Sequence, residues 1–480
     1  MAPWSDIVWR IDLVSVERLP LASLRELLLH SIEHVAAYRE SVGERRVAPA
    51  LDVARLRSEL GGALPSAGGA PREVLDQLIA GAELGSVATA GPRYFGFVTG
   101  GALDAATCAD ILATGWDQCA FNAVLSPVTA VVEEIVGEWL KQLLGLPAHA
   151  SFGLVNGGQA GNTVALAAAR HHVLAQVGWD VERDGLSGAP AIHVVASEER
   201  HATIDRALRL LGFGSRCVVG VPAGRNGAID IAALARTIDG LPGGPMIVCL
   251  QAGNVNTGAC DDLRAACGLT RARGAWVHVD GAFGMWAAAN PATRGLVDGA
   301  ELAESWSVDG HKWLNVPYGS GYVFCAQAEA HRRSMQLRAS YLVGNHDRAE
   351  LRSPSDFVTE SSHRATGFAT WAALRELGRQ GVADLIERGC ALARRFAARL
   401  ARLDGVELGN EVVLNQVLVR FGSDERTDHV IAKVQQDGTC WMGGTMWRGR
   451  RYMRIAVSNW STTEADVDRS VAAIAAATAQ

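Results

Sequence analysis

Ser307-Val308-Asp309-Gly310-His311-Lys312-Trp313 is the stretch on which the reading of this 480-residue chain turns. It places a lysine next to a histidine at the end of a predicted strand, Ser305–Val308. Lysine is scarce here, with three against 42 arginines. A primary amine can shed its proton and add to a carbonyl carbon, which a guanidinium cannot do. Lys312 therefore invites a covalent-cofactor reading. Lys141, on the polar face of a helical pattern, and Lys433, just before a polar turn, read as ordinary solvated residues.

Outward from Lys312, short apolar runs alternate with helical patterns. The predicted strands are Ile192–Val195, Met246–Leu250, Trp276–Asp280, Ser305–Val308 and Gly321–Cys325. Helical periodicity fills Gln159–Val177, Thr203–Leu211, Ile231–Ile238 and Asp262–Arg273. Such alternation predicts an α/β fold, a mostly parallel sheet covered by helices on both faces. Before it, the first ~85 residues read as a helical arm, opened by the capping-box spacing of Ser23-Leu24-Arg25-Glu26. Ser126-Pro127 starts another helix, which stops near Gly145. After Phe368, helices lead to strand-like Gln416–Phe421 and Arg454–Val457, then to a capped helix at Ser461-Thr462-Thr463-Glu464. The expected domains are an arm over 1–90, a large domain over 91–367 and a smaller α+β domain over 368–480.

Totals narrow the function. A net charge of −6 gives no electrostatic pull toward nucleic acid or acidic lipid. Nine cysteines without a CxxC pair point to buried thiols in a reducing compartment, with neither a zinc site nor a disulfide framework. No uncharged apolar run reaches the ~18 residues of a spanning helix, and the N-terminus lacks the basic and apolar regions of a signal peptide. The expectation is a cytoplasmic protein with no metal, membrane or nucleic-acid partner.

Four further features suit the groups that pyridoxal phosphate presents. Gly157-Gly158-Gln159 opens a helix, where free N–H groups and the helix dipole favour a phosphate. Asp280 ends a buried strand, where a carboxylate can keep a pyridine nitrogen protonated. His201 follows a strand closely enough to stack on a flat ring, and His311 adjoins Lys312.

Asp280 precedes Lys312 by 32 residues and His201 precedes it by 111. With these spacings the sequence resembles the group II pyridoxal-phosphate-dependent amino acid decarboxylases, whose members act on aromatic amino acids, glutamate or diaminobutyrate. Gly91–Phe97, Gln251–Thr257, His311–Tyr318, Trp371–Gly378 and Arg454–Trp460 are similar to family segments. The resemblance implies a fold type I enzyme, a homodimer with active sites at the interface, and an N-terminal arm embracing the partner. It implies catalytic roles for Lys312, His201, Asp280 and Tyr341, the last in a loop that protonates the carbanion carbon after carbon dioxide leaves. Cofactor contacts are expected from Gly157, Gly158, Gln159, His201, Thr257, Asp280, Ala282, Asp309, His311 and Lys312. Substrate contacts are expected from Tyr94, Phe95, Phe121, Arg364 and Arg454.

Several positions depart from the family pattern. Gln159 stands where a short hydroxyl is usual, and Thr366 where an arginine is, while Gly310, Gly319 and Ala123 are smaller than expected. The implied reaction is decarboxylation of an L-amino acid, aromatic or apolar, to its amine. The alternatives are an oxygen-consuming aldehyde synthase or a carbon–carbon lyase or condensing enzyme on the same scaffold. Phenylalanine in place of Tyr341 would favour the aldehyde outcome.

Overall fold

Near-continuous apolar runs such as Met246–Gln251 can be satisfied only by burial on both faces. In the structure, a computed structural model, that is where they lie. Residues 23–337 and 351–479 are described. The chain divides into two compact units at Ala88. The first holds helices Leu24–Ser41, Val53–Leu60 and Pro71–Gly85. Its opening helix carries the predicted capping box, with Ser23 and Glu26 exchanging side-chain and backbone bonds. That helix buries none of its residues, and Leu24, Leu28, Leu29, Ile32 and Val35 are exposed.

The second unit is built on seven strands: β1 (Ser151–Val155), β2 (His193–Ser197), β3 (Val218–Val221), β4 (Met246–Gln251), β5 (Trp276–Asp280), β6 (Ser305–Asp309) and β7 (Gly321–Cys325). Their order is β1-β7-β6-β5-β4-β2-β3, parallel throughout except for β7, which runs against both β6 and β1. The alanine-rich helix Gly158–Ala175 packs on this sheet, with Val164 to Ala169 buried. Small side chains there allow close approach of helix and strands. On the other face, Trp286, Trp306 and Trp313 fill the main core.

A second sheet, of β8 (Val406–Leu408), β9 (Gln416–Phe421), β10 (Gly443–Trp447) and β11 (Arg450–Ala456), is antiparallel in the order β10-β11-β9-β8. The helix Gly367–Leu400, broken at Gly378, contributes Ala369, Ala373 and Leu374 to the main core. Its far end places Leu392, Phe396 and Leu400 in the core of the second sheet. It therefore belongs to both cores.

Three local expectations are corrected. The closing helix is capped by Thr463, paired with Asp466, because that pair satisfies both donors of a capping box. β1 and β3 were not foreseen. Lys141 is buried, with Nζ donating to the carbonyls of Ala148 and Ala150 at 2.6 and 3.0 Å and pairing with Glu138 at 2.8 Å. It tethers the turn leading into β1 and is not a solvated residue. All nine cysteines are free, and among the described residues no helix is long and apolar enough to cross a membrane.

Candidate active site

Ligands of open α/β sheets collect beyond the carboxyl ends of the strands. There β2, β4, β5 and β6 end around a cavity of about 510 Å³. Lys312 enters it from a π-helical turn, Gly310–Leu314, that directly follows β6. Single π turns are rare and gather at functional positions. Gly310 is what lets this one form, since a Cβ there would stand 2.2 Å from Tyr322 Oη, which is bonded to Thr370 Oγ1 at 2.9 Å. The departure at Gly310 is thus matched by a buried tyrosine.

Asp280 ends β5 and is aimed by its neighbours. One carboxylate oxygen accepts from Asn162 Nδ2 at 3.1 Å and the other from Ala282 N at 3.3 Å. Asn162 is itself fixed. Its Nδ2 also donates to Thr203 Oγ1 at 3.0 Å, while Oδ1 accepts from Ser307 Oγ and lies 2.9 Å from His278 Nε2. Burial pushes His278 down to about 4, so its ring is neutral at ordinary pH. The two groups that donate to Asp280, the Asn162 amide and the Ala282 N–H, are thus both uncharged.

His201 caps the helix Ala202–Leu210, its Nδ1 accepting from Thr203 N at 3.3 Å. Nδ1 thus carries a lone pair and Nε2 the proton. Burial holds its pKa below the usual imidazole value, with the nearby Asp280 opposing the shift. His311 is lowered for the same reason.

The helix Gly158–Ala175 begins at the cavity wall. A Cβ on Gly157 would lie 3.1 Å from His311 Cε1, and one on Gly158 would lie 3.0 Å from Asp309 Oδ2. Side chains at either position would crowd this cradle, and the first-turn N–H groups of a helix lack intrahelical partners. Gln159 ties up its amide, donating to Thr163 Oγ1 at 3.3 Å and Thr203 O at 3.4 Å. A flat heteroaromatic aldehyde bearing a phosphate fits these groups. The cradle would take its phosphate, Asp280 its ring nitrogen and Lys312 its carbonyl carbon. One group runs against the fit. Asp309, also buried, puts a carboxylate in the cradle, accepting from Gly158 N at 2.6 Å and pairing with Lys312 Nζ at 2.8 Å.

Not every expected residue reaches the cavity. Gly157, Gly158, Gln159, His201, Asp280, Ala282, Asp309, His311, Lys312 and Arg454 line it. Thr257 does not; it is fully buried and donates to Asn226 O at 2.6 Å, holding a turn. Tyr94 stacks on Trp441 at 5.0 Å, and Phe95 packs edge-on against Phe396 at 4.9 Å in the second sheet's core. Arg364 is drawn to the helix Asp104–Trp116, where it bonds Asp110 O and Thr114 Oγ1. Phe121 lies off the wall of this chain's cavity. Tyr341 falls outside the described residues. The phenylalanines that do line the cavity are Phe97 and Phe283, with Asn156, Gln251, Asn256 and Thr445 supplying a polar remainder. The signal that could have found Asn162 was a lone asparagine inside an alanine-rich helix, a residue that costs helix stability unless it is bonded elsewhere.

Sheet topology, cradle, acid and lysine together define a pyridoxal-phosphate enzyme. The sequence pattern of the pyridoxal-dependent decarboxylase conserved domain matches residues 81–421, and the chain belongs to that family. Among its relatives, an aromatic-L-amino-acid decarboxylase from Bacillus atrophaeus is 26% identical over 84% of this chain and 83% of its own. An L-2,4-diaminobutyrate decarboxylase from Acinetobacter baumannii is 28% identical over 64% of this chain and 61% of its own. The fold is that of an Oryza sativa TDC solved with PLP and tryptamine, at a TM-score of 0.87 and 24% identity, covering 96% of this chain and 99% of that one.

Proposed function

We propose that this chain converts an L-amino acid to its amine and carbon dioxide. The observation that carries the reading is the convergence of Lys312, Asp280, His201 and the Gly157–Gly158 cradle on one cavity. Bound there, pyridoxal phosphate supplies an electron sink for the carbanion left when carbon dioxide departs.

The chain's own groups have separate tasks in this reading. Lys312 offers the amine that anchors the cofactor and later releases product. Asp280, held by Asn162 and Ala282 N, would keep a proton on the cofactor's ring nitrogen. His201, whose pKa burial lowers, would offer a flat ring for the cofactor to stack on. Arg454 is assigned to the substrate's carboxylate. It reaches the cavity from β11, the one side-chain hydrogen bond it makes among the described residues is to Val255 O at 3.3 Å, and burial lowers its pKa, so an anion beside it regains lost solvation. The polar wall of Asn156, Gln251, Asn256 and Thr445 favours a substrate with hydrogen-bonding groups over a purely apolar one. Tyr341 retains its proposed role as proton donor.

The test is a panel of amino acids with carbon dioxide, amine and hydrogen peroxide measured together. Equal amine and carbon dioxide without peroxide is expected; peroxide matching carbon dioxide would instead indicate the aldehyde synthase. On the best substrate, Arg454→Gln should raise KM about tenfold or more, the loss of one charge-assisted contact. An unchanged KM would remove Arg454 from substrate binding.

We also propose a homodimer. Support comes from the exposed apolar stripe of Leu24–Ser41, which carries no buried residue of its own. Sedimentation should give twice the chain mass for wild type and a lighter species for Leu28→Glu. A wild-type monomer that turns over substrate would rule the dimer out.

A further inference from the structure

Asp309 is the one group lining the cradle whose chemistry opposes its ligand. Its side chain is 3% exposed, Oδ1 takes the N–H of Gly158 at 2.6 Å, and Oδ2 takes the Lys312 ammonium at 2.8 Å. His311 Nε2 stands 3.6 Å from Oδ1. An ionised carboxylate has no donor to offer a phosphate and repels it. An ammonium, meanwhile, has no lone pair with which to attack a carbonyl carbon. While both are charged, the cradle and the nucleophile are each occupied by the same side chain.

We infer that Asp309 is a latch on cofactor loading, which opens when the proton of Lys312 Nζ passes to Asp309 Oδ2. The transfer spans the existing 2.8 Å contact. It leaves a neutral amine, whose nitrogen can form a bond to an aldehyde carbon while the carbonyl oxygen departs as water. It also leaves a neutral carboxylic acid, which no longer repels a phosphate and has an O–H to donate to it. Asp309 is thus a positioning residue for loading, acting through Lys312 and Gly158.

This rests on the cofactor reading above, and the experiment separates the two. Cofactor-stripped wild type and Asp309→Asn, a near-isosteric neutral variant, are titrated with pyridoxal phosphate and with pyridoxal, following the absorbance of bound cofactor. Sulfate serves as a competing dianion. Asp309→Asn should bind pyridoxal phosphate at least about tenfold tighter than wild type. It should gain distinctly less with pyridoxal, which has no phosphate to repel. Sulfate should bind the cofactor-stripped variant more tightly than cofactor-stripped wild type, seen as a lower inhibition constant against pyridoxal phosphate. Asp309→Ala, which also lacks the charge, should follow Asp309→Asn in direction. Equal or weaker binding by both variants, or an equal gain with pyridoxal, would overturn the latch. A wild type that never takes up cofactor would instead overturn the cofactor reading.

Discussion

Lys312→Ala loses bound-cofactor colour and about a thousandfold or more of its turnover. No other side chain can substitute. Lys141 is buried against the carbonyls of Ala148 and Ala150, and Lys433 lies on the helix Asp424–Asp437, so neither supplies an amine to this cavity. Arginine, the abundant cation of the chain, stays protonated and cannot attack a carbonyl. Borohydride should fix the cofactor to the peptide bearing Lys312 in wild type and leave the variant's mass unchanged. A coloured, active Lys312→Ala protein would remove the basis of the functional reading.

Asp280→Asn should keep the fold and still capture cofactor, yet lose at least about a hundredfold in turnover, the lower range for a positioned proton. The separation follows from the geometry. Capture uses Lys312 and the glycine cradle, which this substitution leaves alone, whereas Asp280 matters only once electrons flow toward the ring nitrogen. An asparagine amide could still accept from Ala282 N, but it cannot hold a proton on the facing nitrogen by charge. Comparing cofactor affinity with turnover checks this. Turnover close to wild type would strip Asp280 of its role, and loss of capture would make that role structural.

The core strands were legible because double-sided burial forces uninterrupted apolar runs, and Trp276–Asp280 and Gly321–Cys325 lie where periodicity put them. β1 and β3 were hidden by their glycines. Gly153 is dictated by packing, since a Cβ there would stand 2.5 Å from Phe357 O, a partner that only folding brings near. Lys312, Asp280 and His201, singled out from residue type and spacing, line one cavity. What sequence could not give was which neighbour each side chain would prefer. Tyr94, Phe95 and Phe97 each found an aromatic partner in the C-terminal part of the chain, and of the three only Phe97, itself largely exposed, lines the cavity. Asp309 read as a ligand contact because of where it stands. That it already holds both Gly158 and Lys312 depends on a contact across 151 residues.

The turn bearing Lys312 links β6 to β7, and β7 is hydrogen-bonded along both edges, to β6 and to β1. The reactive amine is therefore mounted between interior strands, where opening requires most of the molecule to come apart. A ligand captured there reinforces the whole scaffold, so filling the site and resisting heat become a single event.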